Sequence, residues 1–371
     1  MGFRRSGAVP VCSLLLALAL SLPFSTPALG QDVASGVAEL RRLFEDELLF
    51  DRLTPDSAVA AVPTAQYVAA NATDPEGRAL GRRALAEIAM KTRDFASAEA
   101  GFRQVLSLHP RSTQAIWARF GLGVLCVELA QFQGRPELRR TALREFQAAL
   151  DASPAHPIAS RALEKIGLGH LDLGDYERAV QVYNRVIATY PGTPGAVFAH
   201  GGLARAYAAL RRWDDGIRYA RLRVSFARYP RAWDFQLLLG IMLREKGDLA
   251  GAVAELDKLL AVPAWKARHA EALREKVRCL SALADSYIAR GRYAQAIEMC
   301  RKELGSDPYR QELLPLLLQV GRCQHRLGQY PEAIATFFAV AEHDLVGGLN
   351  PACRKGIAEA REALRRKQQP S

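Results

Sequence analysis

The sequence lacks the local residue patterns that metal-dependent and thiol-based enzymes use. It contains no Cys-x-x-Cys pair and no His-x-x-Glu-His segment, and its 7 histidines are scattered along the chain. Cys323 and His325 stand two residues apart, so a helix would direct them to different faces. Local spacing also brings no serine or cysteine together with a histidine and an acid, although it leaves open a triad of residues distant in sequence. We therefore expect no metal, no cofactor and no enzymatic activity.

Two further patterns are absent, and both bear on the fold. Polar and apolar residues do not alternate over any useful length, so the sequence predicts no β-sheet. After residue 30, no segment reaches the uninterrupted run of about 18 apolar residues that is typical of a transmembrane helix. We therefore expect a soluble chain that is nearly all helix, with no transmembrane span once the leader described next has been removed.

The first thirty residues contain no acidic side chain. An arginine pair precedes an uncharged run over residues 11–22, and small residues follow at Ala28 and Gly30. Such a run is too short to cross a hydrocarbon core of about 30 Å as a helix. This pattern predicts a signal peptide at residues 1–30, cut before Gln31. We expect an exported protein that is periplasmic, with secreted or envelope-associated locations as alternatives.

The chain is basic. Its formal charge is +11, and the two leader arginines belong to that total, which leaves +9 for the exported chain. A nucleic-acid partner is the usual interpretation of such a charge, but export argues against one. Anionic lipid headgroups or acidic proteins of the envelope are the better candidates.

One turn pattern recurs at intervals of about forty residues, a period typical of stacked helical hairpins. Its clearest copy, LGDYERAVQVYNRVIATYP, covers residues 173–191. The equivalent turn residues of the later copies are Arg211, Gly247, Gly291 and Gly328. Each turn lies between two segments with apolar residues three and four positions apart, which predicts a helix on either side. In the clearest copy we expect Gly174 to end one helix in the left-handed conformation and Asp175 to cap the next.

The helices around each turn carry a matching set of small and aromatic residues. The clearest copy has Gly167, Ala179, Tyr183 and Pro191, and an earlier copy has Ala86, Ala98, Phe102 and Pro110 in the same places. A later copy has Gly321, Ala333 and Phe337. In these positions the chain resembles the tetratricopeptide repeat family. The resemblance implies antiparallel helix pairs that stack into a right-handed α-solenoid, here of about seven hairpins. It also implies a scaffold rather than a catalyst.

The ends of the chain depart from the repeat, as the ends of a solenoid should. Residues 31–78 hold a predicted N-terminal helical segment whose second helix is interrupted by Pro63, and residues 79–345 hold the repeats. Residues 346–371 are predicted to form a C-terminal capping helix and tail with an arginine-rich polar face.

The resemblance further implies a binding surface, because in this family the first helix of each pair lines an inner groove that holds peptides or partner helices. Matching positions here include Arg83, Glu87, Glu164, Leu168, Phe198, Arg205, Leu237, Ile241, Asp285, Leu318 and Arg322. Their mixed character favours an amphipathic protein or peptide ligand. The Lys and Asn clamp of chaperone-binding relatives is absent, so that activity is not carried over.

Two other features have alternative interpretations. Arg218, Arg221 and Arg228 share one stripe of a predicted helix, which fits a patch for acidic partners or anionic headgroups, or an ordinary solvated face. Cys300 and Cys323 fall at similar heights on neighbouring predicted helices. That placement permits a disulfide in an exported protein, or two buried thiols.

These interpretations together favour an exported scaffold that binds protein partners through its groove. The copies beginning at Ser160 and Val197 are similar to envelope repeat proteins that assist complex assembly, so assembly of a cell-envelope complex is the expected setting. The alternatives are a substrate-presenting subunit of a cell-wall or envelope enzyme, and an anionic-surface-binding protein that uses the arginine stripe. No oligomeric state follows from the sequence.

Overall fold

The computed structural model describes residues 32–45, 53–226, 231–305 and 310–368. Within these ranges the chain forms α-helices joined by turns and two short 3₁₀ segments, and it forms no strand. The all-α fold class is therefore confirmed. The predicted signal peptide at 1–30 and Arg228 of the predicted arginine stripe lie outside the described residues.

The chain divides into two compact units, residues 1–206 and 207–371. The first unit holds α1 Val33–Phe44, α2 Pro55–Ala60, α3 Val62–Asn71, α4 Pro75–Lys91, α5 Phe95–Leu108, α6 Thr113–Phe132, α7 Leu138–Ala152, α8 Ala159–Asp172, α9 Tyr176–Thr189 and most of α10 Pro194–Ala209. The second unit holds α11 Trp213–Ser225, α12 Ala232–Lys246, α13 Leu249–Leu260, α14 His269–Ala289, α15 Tyr293–Leu304, α16 Leu314–Arg326, α17 Tyr330–His343 and α18 Asn350–Gln368. The 3₁₀ segments Pro263–Arg268 and Gln311–Leu313 precede α14 and α16.

Within each unit, the helices form a stack of hairpins. Helices that follow one another in sequence pack together, as α8 does with α9 and α16 with α17. Alternate helices also touch: α4 contacts α6 in the first unit, and α12, α14, α16 and α18 contact one another in that order in the second. The first helix of one hairpin therefore lies beside the first helix of the next, as the forty-residue period predicts.

The segment before residue 79 packs in the same manner. Helix α1 contacts both α3 and α4, as a first helix contacts its own partner and the next first helix. The pairing of α1 with α3 therefore resembles one more hairpin, although an irregular one. Pro63 accounts for the irregularity, because it has no N–H to donate and the predicted second helix breaks near it, at Ala61, into α2 and α3.

A left-handed residue stands in each of six turns between paired helices. These residues are Arg93, Gly174, Arg211, Gly247, Gly291 and Gly328, with φ between +56° and +93°. In every case the next residue donates its N–H to the carbonyl five residues earlier, at 2.8–3.0 Å. This pair of features is the Schellman motif, which satisfies carbonyls that the end of a helix leaves free. The predicted role of Gly174 is thus confirmed.

Asp175 does not cap the helix that follows it, contrary to the sequence prediction. Its side chain makes no capping hydrogen bond, and its carboxylate lies 3.3 Å from Arg178 Nη1 and 3.8 Å from His170 Nδ1. The equivalent Asp94 and Asp248 do cap α5 and α13, where each accepts the N–H of the third residue onward. Asp175 differs because nearby basic groups give its carboxylate other partners.

An aromatic ring of the second helix sets the spacing of the first helices around it. In the first unit, Tyr183 of α9 packs against Gly167 of α8 and Gly202 of α10. A Cβ on Gly167 would lie 2.7 Å from the ring, and a Cβ on Gly202 would also collide with it. Because Tyr183 is only 1% exposed, the ring has no space into which it could retreat.

The same packing recurs in the second unit. Phe337 of α17 lies between Gly321 of α16 and Gly356 of α18, where added Cβ atoms would stand 2.7 Å and 2.6 Å from its ring. Small residues in this place were predicted from the repeat pattern for Gly321. Their function is to let two neighbouring first helices close on one ring.

One described helix, α6, is long and apolar enough to cross a membrane by length and composition alone. It packs against α4, α5 and α7, and 44% of its most apolar 18-residue stretch is buried. Its Arg119 lies 3.7 Å from Glu145 of α7. These contacts explain its apolar character as that of a core helix.

Replacing Arg211 by glycine should stabilise the protein. Arg211 has φ +56°, a conformation that costs a residue with a Cβ about 1 kcal/mol relative to glycine. We expect Arg211→Gly to raise the free energy of unfolding by about 0.5–1 kcal/mol in urea denaturation, after the added flexibility of the unfolded chain is counted. Arg211→Ala is the matched control, since it removes the same side chain but keeps the Cβ. An equal gain in both variants would contradict backbone strain as the cause.

Candidate functional site

In the first unit, the predicted groove residues are Glu164 and Leu168 on α8 and Phe198 and Arg205 on α10. Glu164 is buried, and its carboxylate lies 3.4 Å from Lys165 Nζ and 3.7 Å from Arg161 Nε. The Arg161 guanidinium in turn stacks on the Phe198 ring, 4.1 Å from its centroid. Leu168 and Arg205 are partly exposed. The structure therefore brings Glu164 and Phe198 together through Arg161, in contacts that lie within the unit itself.

Arg83 and Glu87, which were also expected in the groove, are buried. Arg83 Nη1 donates to Glu87 Oε1 at 2.9 Å and to the Phe44 carbonyl at 3.3 Å, and its Nη2 lies 3.9 Å from Glu45. The guanidinium also stacks on Trp117, 4.8 Å from the ring centroid. Arg83 thus ties the end of α1 to α4 and α6. The sequence predicted that Arg83 and Glu87 line a groove. The structure buries both residues instead, and their spacing of four residues lets them pair with each other on one helix face.

The Glu87 carboxyl has an altered acidity. Burial raises its pKa from 4.5 to about 7, and this effect exceeds the attraction of the neighbouring Arg83 cation. The negative charge of Glu45, which approaches the same guanidinium, raises the pKa further. One buried cation, Arg83, therefore lies between the carboxylates of Glu87 and Glu45.

In the second unit, Leu237 does not lie where the sequence analysis placed it. It is 6% exposed and belongs to the buried residues of α12, whereas Ile241, one turn further on, is partly exposed. The error has a simple cause: nearly every residue from 235 to 243 is apolar, so the pattern does not distinguish the core face from the outer face. A partner cannot contact Leu237 without disrupting the core.

Asp285 and Arg322 do come together at the surface. Arg322 Nη1 on α16 donates to Asp285 Oδ1 on α14 at 3.0 Å, and Gln319 Nε2 donates to the same oxygen at 3.1 Å. The side chains of the ion pair are 54% and 51% exposed. The two predicted residues therefore bridge neighbouring first helices while remaining open to solvent.

An open groove borders this ion pair, between α16 and α18. We call it the C-terminal groove; its lining includes Ile288, Leu318, Arg322, His325, Arg326, Tyr330, Lys355, Glu359, Glu362, Arg366 and Lys367. Ile288 and Leu318 are partly buried and give it an apolar part, while most other side chains carry charge. Leu318 was predicted to line an inner groove. The contribution of Lys355 and Glu359 was missed, because both are exposed charged residues of α18, and charge alone does not distinguish the wall of a groove from an ordinary solvated face.

The predicted arginine stripe is only partly described. Arg218 and Arg221 are exposed on α11, and Arg228 lies outside the described residues. Arg218 approaches Asp215 at 3.4 Å, so an acid shares the same face. This surface borders a shallow depression that also contains Asp214.

Cys300 and Cys323, for which the sequence permits either a disulfide or two buried thiols, are unbonded in the structure. Cys300 of α15 and Cys323 of α16 belong to one core cluster, which agrees with their similar heights, and both are free thiols. Burial raises the pKa of Cys300 to about 12 and that of Cys323 to about 11. Such thiols are nearly all protonated at neutral pH and behave as small apolar side chains.

Within the described ranges, no group of three or more His, Cys, Asp or Glu side chains is arranged to hold a metal ion. The ionisable groups instead form ion pairs such as Asp285 with Arg322, whose role in this geometry is electrostatic.

Comparison with known families agrees with the hairpin architecture. A tetratricopeptide repeat model matches residues 137–194 and 202–268, and a second tetratricopeptide repeat model matches residues 279–312. The chain therefore contains tetratricopeptide repeats. The repeats place it among helical scaffolds for protein–protein interaction.

Several solved structures are similar to this repeat protein. PilW, a type IV pilus biogenesis factor, shares 20% identity over 64% of this chain and 98% of its own, with a TM-score of 0.48. A tetratricopeptide repeat protein from Parabacteroides merdae shares 16% identity over 88% and 99%, with a TM-score of 0.41. Yeast Tom70 shares 15% identity over 96% and 70%, with a TM-score of 0.45. Likeness at this level assigns no partner, and no curated protein matches the sequence.

The stability of this repeat protein should fall as pH rises from about 4.5 to 7. Because the folded pKa of Glu87 lies above its unfolded value, folding takes up a proton in this window, and ionisation at higher pH weakens the folded state. We expect Glu87→Gln, which does not titrate, to reduce the loss of melting temperature between pH 5 and pH 8. Glu99→Gln serves as the control, because Glu99 forms an exposed pair with Arg103 at 2.7 Å. If both variants keep the pH dependence of the wild type, Glu87 is not its source.

A chain that begins at Gln31 should contain five titratable thiols when it is unfolded without reductant, since all five described cysteines are free. In the native protein the buried thiols, including Cys300 and Cys323, should react far more slowly with a thiol reagent, because little thiolate is present and access is blocked. Thiol counting with and without prior reduction checks this. A count that rises by two after reduction would mean that one pair forms a disulfide.

Proposed function

We propose that this repeat protein is an exported scaffold, located in the periplasm, that binds a segment of a partner protein in its C-terminal groove and takes part in the assembly of a cell-envelope complex. The observation that carries the proposal is the open groove between α16 and α18, which combines partly exposed apolar side chains with solvent-exposed charges. Such a combination suits recognition of a peptide by fixed apolar and charged positions.

The first unit is the weaker candidate for this role. There, Glu164 and Phe198 are engaged with Arg161, and Arg83 and Glu87 are buried in a network with the end of α1. A ligand that used these side chains would have to break contacts within the unit, at a cost in binding energy. In the C-terminal groove, Leu318 and Arg326 are accessible without such rearrangement.

Export rests on the leader pattern of residues 1–30. An arginine pair, a short apolar run and small residues before Gln31 are the features of a signal peptide. Fractionation of cells followed by mass measurement of the protein tests this part, and we expect a periplasmic chain that begins at Gln31. A full-length chain in the cytoplasm would contradict it.

The groove is tested by site-specific photocrosslinking in intact cells. A photoreactive residue replaces Leu318, which lines the C-terminal groove, and in a matched variant it replaces Phe338, which is 48% exposed on α17 and does not line the groove. We expect the Leu318 probe to give one discrete protein adduct that the Phe338 probe does not give. The adduct should disappear when Arg326→Glu is added to the probe variant.

Three results would contradict the proposed role of the groove. The first is the absence of any adduct at Leu318 when the probe variant is folded and exported, as judged by its circular dichroism and its location. The second is the same adduct from both probes, and the third is an adduct with lipid alone, which would favour a surface-binding protein.

A further inference from the structure

After the predicted leader, the net positive charge of the chain lies in one unit. Residues 32–206 contain 20 Lys and Arg against 20 Asp and Glu, whereas residues 207–371 contain 28 against 19. Residues 32–206 are therefore neutral in formal charge, and the whole excess outside the leader lies in the second unit. A long-range attraction for an anionic partner would act on the second unit.

Within that unit, the C-terminal groove holds cations that no ion pair neutralises. Lys355 lies 3.9 Å from Glu359, and Arg366 is paired with Glu362. Arg326 and Lys367, which also line the groove, form no ion pair with any described residue. Their charges remain available to a ligand.

The length of the groove matches that of a short extended peptide. From Lys355 to Lys367 helix α18 extends about 18 Å, at a rise of about 1.5 Å per residue. An extended chain covers about 3.3 Å per residue, so a segment of five or six residues spans the same length. Ile288 and Leu318 offer an apolar contact within it.

We infer that the C-terminal groove receives a short, extended, acidic segment of a partner protein, with carboxylates against Arg326 and Lys367 and an aliphatic side chain against Ile288 and Leu318. This inference rests on the proposed function and adds the chemistry of the partner. A protein segment fits better than a lipid surface or a duplex nucleic acid, because Ile288 and Leu318 are partly buried and offer an apolar contact that suits a single side chain rather than a flat or rigid ligand. The two acids Glu359 and Glu362 beside the cations also disfavour a uniformly charged polyanion.

The test is direct binding of defined peptides to the full exported chain. A labelled six-residue peptide that alternates acidic residues with leucine is compared, by fluorescence anisotropy, with its amide counterpart in which Asn and Gln replace the acids. We expect the acidic peptide to bind at least about tenfold more tightly at low salt, and this preference to shrink as ionic strength rises.

Matched charge reversals then locate the site. The double variant Arg326→Glu, Lys367→Glu should weaken binding of the acidic peptide by about tenfold or more, because it replaces two attractions by two repulsions. The control Arg354→Glu, Arg365→Glu makes the same change of charge on exposed positions of α18 that do not line the groove. We expect less than about a threefold effect from it, owing only to the change in net charge.

The results distinguish the acidity of the partner segment, the position of the site and binding to lipid. Equal binding of the acidic and amide peptides would overturn the acidic partner, while the crosslink at Leu318 would still support the groove. Equal weakening in the two double variants would mean a non-specific effect of net charge and would overturn the site. Vesicles of phosphatidylcholine with phosphatidylglycerol form the last arm, and their binding in place of the peptide, lost only in the groove variant, would assign the cations to lipid.

Discussion

The contact on which the stack depends is an aromatic ring closed between two glycines. Tyr183 in the first unit and Phe337 in the second each separate two neighbouring first helices at a distance that leaves no place for a Cβ. Hydrophobic burial of the ring favours the contact, and close packing makes it specific, because a helix surface with larger side chains could not approach so near. The small residues that recur in the sequence therefore provide the space that the rings of Tyr183 and Phe337 occupy.

The turns supply the second constraint. Each left-handed residue reverses the chain and lets the following N–H reach back to the preceding helix, so the angle between paired helices is built locally. Glycine occupies four of the six places, and arginine occupies Arg93 and Arg211, where the motif forms despite the strain. At these two places the contacts of the hairpin hold arginine in a conformation that it does not favour.

Much of the fold could be predicted from spacing, because each hairpin is specified within about forty residues of sequence. The helices, the role of Gly174 and the small residue at Gly321 follow from such local patterns. What the sequence could not predict depends on neighbours in space. Leu237 faces the core on a helix that is apolar nearly all round, Asp175 finds basic partners instead of a helix end, and Arg83 is enclosed by α1 and α6. The groove face of α18 was missed because its charged residues Lys355 and Glu359 are exposed, and charge alone does not distinguish the wall of a groove from an ordinary solvated face.

Phe337 has a consequence for the C-terminal groove as well as for the stack. The ring touches Gly321 on α16 and Gly356 on α18, the two helices that form the walls of the groove, and it also contributes to the lining. The ring therefore acts as a spacer, and its thickness sets the distance between α16 and α18 at that level of the groove. A displacement of the ring would change the width of the groove while leaving the side chains that line it the same.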